Sequence, residues 1–324
     1  MINRRQFVVT GVGALSLPLT CFAQRTRPIP RVGVLGAGSP AGWAPMVQAL
    51  HVGLHDQGYT DGKNIAVDYR WAEGKYDLLP ALASELIAQG IDVIVTHATA
   101  GANAARQATT TVPIVIASIG DPVTAGVITN LARPGSNITG LSFFSNEIAI
   151  KRIQLIKETV PGLTKLMMLL DSSIPVGVRA PIQAAANELK IMLEFVLLAT
   201  PNELDSTFNA IRKRRIDGVV VTETPMLISS AKAAGAAASK HGIPSIGFKE
   251  VVEGGGLMAY GADIADMWRR SAVFIDKILK GAKPGDLPIE RATKFELVIS
   301  RKAANSLGIS MPQSILLLAD KVIE

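Results

Sequence analysis

The chain has 324 residues, enough for one large or two medium domains. Apolar residues make up 48% of it, which supports a sizeable core, and charged residues make up 19%, too few for long disordered segments. The formal net charge is +6. The basic residues form no run and do not alternate with aromatic residues, which argues against a nucleic-acid partner.

The first 23 residues have the pattern of an export signal. A basic pair at 4–5 precedes an apolar run at 8–19, and small residues end at Ala23, near which we expect cleavage. About a dozen apolar residues interrupted by a proline are too few to span a membrane. The arginine pair with Phe7 resembles a twin-arginine signal, and ordinary secretory export is the alternative.

Cysteine occurs once, at Cys21, inside this segment. A lipid anchor there is an alternative, although Thr20 is a poor residue just before it. After cleavage the mature chain has no cysteine, which excludes disulfides, thiol nucleophiles and cysteine-ligated zinc. The sequence therefore predicts a soluble periplasmic protein.

From residue 31 onward predicted strands alternate with predicted helices, which indicates parallel, doubly wound sheets. Residues 112–142 show this most clearly, with an apolar β-branched run, a polar corner, a helix and a second strand. In the first half we predict strands at 31–35, 65–69, 91–96, 112–117 and 138–141, and helices at 43–57, 77–89, 100–108 and 123–131.

The pattern begins again after residue 145. We predict helices at 147–159, 179–190, 203–214, 226–241, within 261–281 and near 313–322, and strands at 164–170, 193–197, 218–221, 243–247, 254–259 and 295–299. The predicted fold class is α/β, with two doubly wound parallel-sheet lobes joined by a three-segment hinge near 145, 248 and 282. The N-terminal lobe would hold 31–145 plus about 250–282, and the C-terminal lobe 146–249 plus about 283–324.

The loop Gly36-Ala37-Gly38-Ser39-Pro40-Ala41 follows a predicted strand and fits a dinucleotide-binding fingerprint. The acid expected about 20 residues later is missing, because Asp68 lies too far along. An exported dinucleotide-dependent oxidoreductase is therefore the alternative function, and a small-residue loop at the mouth of a cleft is the preferred interpretation.

Two histidines, His51 and His55, are four residues apart on one predicted helix, a spacing compatible with metal binding. The glutamate of a metalloprotease motif is absent between them, and His97 and His241 have no acid close in sequence. We predict no metal site.

Polar residues follow the predicted strands in both lobes, where open α/β sheets bind ligands. Each could instead cap the helix after it. Together they predict a cleft, with Trp43 and Tyr260 as candidate aromatic walls. The polar candidates are Ser39, Thr99, Ser118–Asp121, Asp171, Ser172, Ser173, Thr222, Glu223 and Thr224.

Several stretches resemble substrate-binding proteins of bacterial ATP-driven importers, in the branch with a type I periplasmic-binding fold that includes tryptophan- and tyrosine-binding members. The resemblance covers about 31–308. It lies in GYTDGKNIAVDYRWAEGKYDLLPALA, IDVIVTHATAGANAA, VPIVIASIGDPVTAGVI, LARPGSNITGLS, MAYGAD and FELVISRKAANSLGI, and its most specific block is 121–140.

This resemblance implies that a ligand sits between the lobes. It implies contacts from Thr99, Asp121, the 171–175 loop, the 222–224 loop and the segment from Tyr260 to Asp263. Members that bind aromatic amino acids commonly have Asn-Pro-Ser and Thr-Asp-Asn where this chain has Asp171-Ser172-Ser173 and Thr222-Glu223-Thr224. The added carboxylates suit an ammonium group or signal a different solute.

The predicted function is capture without chemistry: a monomer binds a small solute (an amino acid or a related polar or aromatic compound) by hinge closure and delivers it to an ABC-type membrane permease. No cofactor is expected. A third interpretation, a regulator's sensor domain, lacks a DNA-binding segment before residue 31.

Overall fold

In the computed structural model, which describes residues 29–174 and 176–324, the chain forms two α/β lobes. The predicted signal at 1–23 lies outside these residues. The strands are β1 (Arg31–Gly36), β2 (Ala66–Trp71), β3 (Val93–His97), β4 (Ile114–Ile119), β5 (Ile138–Ser142), β6 (Lys165–Asp171), β7 (Met192–Leu198), β8 (Gly218–Val221), β9 (Ser245–Gly247), β10 (Met258–Ala262), β11 (Glu290–Arg291), β12 (Phe295–Ser300) and β13 (Lys321–Ile323).

The α-helices cover both faces of these sheets. They are α1 (Pro40–Asp56), α2 (Leu79–Ala88), α3 (Ala98–Ala108), α4 (Ser145–Thr159), α5 (Arg179–Glu188), α6 (Leu204–Lys213), α7 (Pro225–Ser229), α8 (Ala231–His241), α9 (Lys249–Glu253), α10 (Ile264–Leu279), α11 (Arg301–Leu307) and α12 (Gln313–Leu318).

The first sheet has the order β11-β5-β4-β3-β1-β2, and all its pairs are parallel. Strands β3, β4 and β5 are buried along their whole length, as the apolar β-branched runs predicted. Helices α1 and α10 pack against each other on this lobe, with Gly53 of α1 at the contact. Two adjacent strands of the N-terminal sheet, β4 and β5, thus come from the stretch 112–142, in which the alternation of strand and helix is clearest in the sequence.

The second sheet has the order β13-β12-β10-β9-β8-β6-β7. It is parallel except for β10 and β12, which pair antiparallel because the chain re-enters this lobe after leaving it. The fold class predicted from sequence, two doubly wound lobes, is confirmed, with this one antiparallel pair as a difference.

Four predicted elements differ from the structure, and one of them, the predicted strand at 254–259, lies about four residues later as β10 (Met258–Ala262). The predicted helix at 123–131 is a series of turns: Gly126 has a φ of 68°, and two successive amides donate to the Pro122 carbonyl. The predicted helix at 226–241 breaks at Ser230 into α7 and α8. The predicted terminal helix ends at Leu318, and β13 follows it.

Three chain segments cross between the lobes, but two crossings lie later than predicted. The first is at 143–144, close to the expected 145. Strand β10 pairs with β9 and β12, so 250–262 belongs to the C-terminal sheet and the second crossing is at Asp263. Strand β11 pairs with β5, so the third crossing is at 292–294. The Asp263 amide donates to the Lys294 carbonyl at 3.0 Å and links these two crossings.

None of the helices within the described ranges is both long enough and apolar enough to cross a membrane.

Candidate functional site

A cavity lies between the lobes at the carboxyl ends of β3, β4 and β8. This is the edge where parallel α/β sheets bind ligands. Side chains from both lobes and from the crossing at Phe143 line it, so a molecule inside would contact both lobes at once.

The two lobes touch across the cleft mouth. The Ser39 amide donates to Ser229 Oγ at 3.3 Å, and Trp43 Nε1 donates to the Pro225 carbonyl at 3.4 Å. On the other side, the Tyr76 hydroxyl donates to Asp171 Oδ2 at 2.7 Å. These contacts describe a closed arrangement of the lobes.

Seven of the polar and aromatic residues proposed from sequence line this cavity. They come from both lobes, as expected for polar residues that follow strands. They are Trp43, Thr99, Ser118, Asp121, Ser173, Thr222 and Glu223.

The other six do not line it, and for three the capping alternative holds. The side chain of Ser39 accepts from the Gly42 amide at the start of α1, Thr224 caps α7, and Asp263 accepts from the Asp266 amide at the start of α10. Ser172 is exposed. Tyr260 stacks on Phe295, with ring centroids 6.3 Å apart.

Asp171 has its carboxylate occupied by the protein. Oδ1 accepts from the Ser173 amide at 2.8 Å and from its hydroxyl, and Oδ2 accepts from Tyr76 and from the Met226 amide. Burial and the nearby Asp171 carboxylate raise the pKa of Tyr76, so its hydroxyl remains a donor. Asp171 therefore joins the lobes rather than facing the cavity.

Glu223 lines the cavity but is paired with Arg152, a residue that sequence analysis missed. Both side chains are almost fully buried, and Arg152 Nη1 lies 2.8 Å from Glu223 Oε2, with a second contact from Nη2. Arg152 Nε also donates to the Tyr260 carbonyl at 2.7 Å, and Nη1 to the Val221 carbonyl at 3.1 Å. This fork geometry satisfies both charges, so the pair contributes no net charge.

A second missed residue, His97, ends β3 and is fully buried. Its ring lies against Trp43, with centroids 3.6 Å apart, and near Trp268, with centroids 5.6 Å apart. Burial lowers the pKa of His97 to about 3, because desolvation disfavours the charged imidazolium. Sequence reasoning could not find this environment, because Ala37, Trp43 and Trp268 are all distant from His97 in the chain.

The remaining cavity wall is mostly apolar. No salt bridge to Asp121 is found within 29–174 and 176–324. Glu223 is paired with Arg152, so Asp121 is the carboxylate of the lining that has no oppositely charged partner among these residues. Helices α3 and α4 begin at the cavity, and no side chain caps either first turn. The apolar lining comprises Ala98, Ala125, Phe143, Ala149, Met168, Leu170, Ile174, Val178, Ile182, Pro225, Ile228 and Ile264.

The glycine loop does not support the dinucleotide alternative. The Ala37 amide donates to His97 Nε2 and the Ser39 amide to Ser229, so these amides are not free to cradle phosphates. A side chain at Gly36 would meet Trp71 at 2.0 Å, and one at Gly38 would meet Trp43 at 2.1 Å. The loop is packed by the protein's own indole rings.

One histidine of the pair on α1 has a structural partner. His51 Nε2 lies 2.6 Å from the Tyr69 hydroxyl. Within 29–174 and 176–324, no group of three or more His, Cys, Asp or Glu side chains could hold a metal ion.

Comparison with known proteins agrees with this architecture. A tyrosine-binding protein from Clostridioides difficile (strain R20291) is 26% identical over 264 residues, covering 79% of this chain and 74% of that protein. Two solved structures are each 28% identical and cover 91% of this chain and 99% of theirs. One is a conserved domain protein from Vibrio cholerae, with a TM-score of 0.84. The other is an ABC domain in complex with L-Trp from Streptococcus pneumonia, with a TM-score of 0.82.

Residues 32–323 match the family described as ABC transporter substrate binding protein. This match spans both lobes and all three crossings. The chain belongs to the family of ABC transporter substrate binding proteins.

Proposed function

We propose that this protein captures a small solute, an amino acid with an apolar side chain or a related polar or aromatic compound, between its lobes and delivers it to a membrane permease. The observation that carries the proposal is the cavity between the lobes, which has mostly apolar walls and one carboxylate, Asp121, without an opposite charge. An ammonium group beside Asp121 would balance that charge, and the apolar walls would cover the side chain.

The lining charges support a ligand with a positive group. His97 is neutral and Arg152 is paired with Glu223, so Asp121 sets the formal charge of the wall. The relatives named above as a tyrosine-binding protein and an L-Trp complex make aromatic amino acids the first solutes to test. We include other apolar amino acids, because the loops at 171–173 and 222–224 differ in sequence from those of members that bind aromatic amino acids.

Capture needs no bond making in this proposal, and no cofactor takes part. We propose that the signal at 1–23 directs export to the periplasm and is removed near Ala23. The mature monomer would then bind its solute, close, and dock on the permease in the closed form. The pairs formed by Tyr76 with Asp171 and by Trp43 with Pro225 supply contacts that exist only when the lobes meet.

The test is thermal unfolding of the purified mature protein, stripped of endogenous solute, against a panel of amino acids and small solutes. A solute at a hundred times its dissociation constant adds about 2.7 kcal/mol to the free energy of unfolding, which raises the melting temperature measurably. We expect a shift with at least one apolar or aromatic amino acid. The substitution Asp121→Asn should weaken binding about 10- to 100-fold, because a charge-assisted hydrogen bond is lost.

The matched control is Asp286→Asn, which changes an exposed aspartate that does not line the cavity. It should leave the shift unchanged. A panel in which only nicotinamide or flavin nucleotides shift the melting temperature would reject capture of an amino acid.

A further inference from the structure

Two polar groups in the cavity wall have no hydrogen-bond partner among the described residues. His97 Nδ1 is buried, and no hydrogen-bond acceptor or donor within 29–174 and 176–324 satisfies it. A buried polar group without a partner is destabilising, so an unpartnered group in a ligand cavity indicates that a ligand supplies the missing partner. A second orphan, Asn146 Oδ1, lines the same cavity.

The partner of the other ring nitrogen fixes the tautomer of His97. The Ala37 amide donates to Nε2 at 3.0 Å, so Nε2 must carry a lone pair. A neutral imidazole then has its proton on Nδ1, and the low pKa of about 3 keeps the ring neutral. The unpaired group is therefore an N–H donor that needs an acceptor.

The surroundings of Nδ1–H favour an anionic acceptor. His97 immediately precedes α3, whose first turn has no side-chain cap and whose residues Ala98 and Thr99 line the cavity. Uncapped amides and the helix dipole both favour negative charge. Ser118, also in the lining, accepts from Trp268 Nε1 at 3.2 Å and keeps its own hydroxyl proton to donate.

The backbone beside His97 is strained. Ala98 has a φ of 58°, a left-handed conformation that is uncommon for a residue with a side chain. The imidazole itself packs against Trp43 and lies near Trp268, and the Ala37 amide anchors one edge. This packing holds Nδ1–H in one orientation before any solute arrives, and a donor that is already oriented loses little entropy on binding.

We propose that His97 is a specificity-determining residue: its neutral Nδ1–H, with Ser118 and the uncapped start of α3, binds a carboxylate of the solute. The proposal rests on the proposed function and deepens it, because it requires an acid rather than any small apolar amine. The donors carry no full charge, so the acid is held by hydrogen bonds and the helix dipole rather than by an ion pair.

The experiment compares each acid with its decarboxylated amine: L-tyrosine with tyramine, L-tryptophan with tryptamine, L-phenylalanine with phenethylamine, and L-leucine with isopentylamine. Binding to the stripped mature protein is measured by thermal shift and calorimetric titration. We expect the wild type to bind at least one acid and to bind its amine 10-fold or more weakly.

Two substitutions separate a ligand role from a structural role at His97. Glutamine can place an acceptor where Nε2 was and keep the Ala37 contact, but it has no donor at the Nδ1 position. Asparagine can place an amide N–H where Nδ1 was, but it loses the Ala37 contact. We expect His97→Gln to weaken acid binding about 10- to 100-fold with amine binding unchanged, and His97→Asn to retain binding within a few-fold.

Nuclear magnetic resonance of ¹⁵N-histidine-labelled wild-type protein tests the same idea without a variant. The ligand-free spectrum should show His97 as the Nδ1–H tautomer, and the acid, but not the amine, should shift that proton downfield. An Nε2–H tautomer, or full acid binding by His97→Gln, would overturn the proposal.

The outcomes separate the two proposals. If acids and amines bind the wild type equally well, the carboxylate site is rejected while capture of apolar amines stands. If no member of the panel binds, the proposed function is rejected, and the carboxylate site with it.

Discussion

At His97, burial without an opposite charge makes protonation unfavourable. Its folded pKa of about 3 lies well below the ordinary value of 6.5, so the unfolded chain takes up a proton first as the pH falls. Above about pH 6.5 the ring is neutral in both the folded and the unfolded chain, and His97 does not lower the free energy of unfolding. As the pH falls from 6.5 toward 3, protonation of the unfolded chain lowers the free energy of unfolding progressively.

We predict that His97→Gln reduces the acid sensitivity of the ligand-free protein. Between pH 7 and pH 5 the wild type should lose about 2 kcal/mol more free energy of unfolding than the variant, because only the wild type must bury a ring that protonates when unfolded. Urea unfolding at the two pH values measures this difference. The other three histidines are present in both proteins, and equal losses would contradict the prediction.

Local position explains which site residues could be predicted from sequence. Thr99 and Asp121 follow buried strands, so chain order alone places them at the cleft. Arg152 lies inside α4, where a basic residue ordinarily faces solvent, and only the fold places Glu223 beside it. His97 was missed for the same reason, because its partner Ala37 is 60 residues away in the chain.

The contact between α1 and α10 depends on a missing side chain. A Cβ at Gly53 would lie 2.1 Å from the Arg269 carbonyl oxygen and 2.9 Å from Ala272 Cβ. Backbone atoms of a packed helix cannot move aside cheaply, so this glycine sets how closely the two helices approach.

We predict that Gly53→Ala destabilises the protein by about 1–3 kcal/mol, although alanine is the better helix former by about 1 kcal/mol. Thermal or urea unfolding measures the change. The control is Gly162→Ala, where a Cβ meets nothing within 4 Å, and it should be neutral or slightly stabilising. A Gly53→Ala variant as stable as the wild type would show that the helices can shift apart at no cost.

The predicted helices and strands match the structure where the hydrophobic periodicity and the length of a segment indicate the same element. They differ where contacts with distant parts of the chain determine the structure. Residues 123–131 are apolar enough for a helix, but Gly126 turns the chain there. Strand β10 follows the second lobe's helices in sequence, and its membership of the second sheet is fixed by pairing with β9 and β12. Single-sequence patterns do not encode such pairing, so two of the three predicted crossing points lie too early in the chain.

When the lobes are closed, small residues at the start of α1 contact small residues of α7 on the other lobe. In the first turn of α1, a Cβ at Gly42 would lie 2.6 Å from Ser229 Cα, on α7 of the other lobe. The three atoms nearest to this Cβ all belong to Ser229, so the closest obstacle to the substitution lies on the other lobe. Gly42 therefore reports on closure separately from folding.

We predict that Gly42→Ala weakens binding of whichever amino acid binds the wild type by about tenfold or more, while the ligand-free melting temperature stays the same or rises slightly. Alanine stabilises the helix, but it raises the free energy of the closed state, and apparent affinity falls with the closed fraction. Calorimetric titration measures the affinity, and small-angle scattering should show a larger radius of gyration for the saturated variant than for the saturated wild type. Gly177→Ala, on the other lobe with open space around it, is the control and should bind normally. Wild-type affinity in Gly42→Ala would mean that the solute-bound lobes do not close as far as this contact.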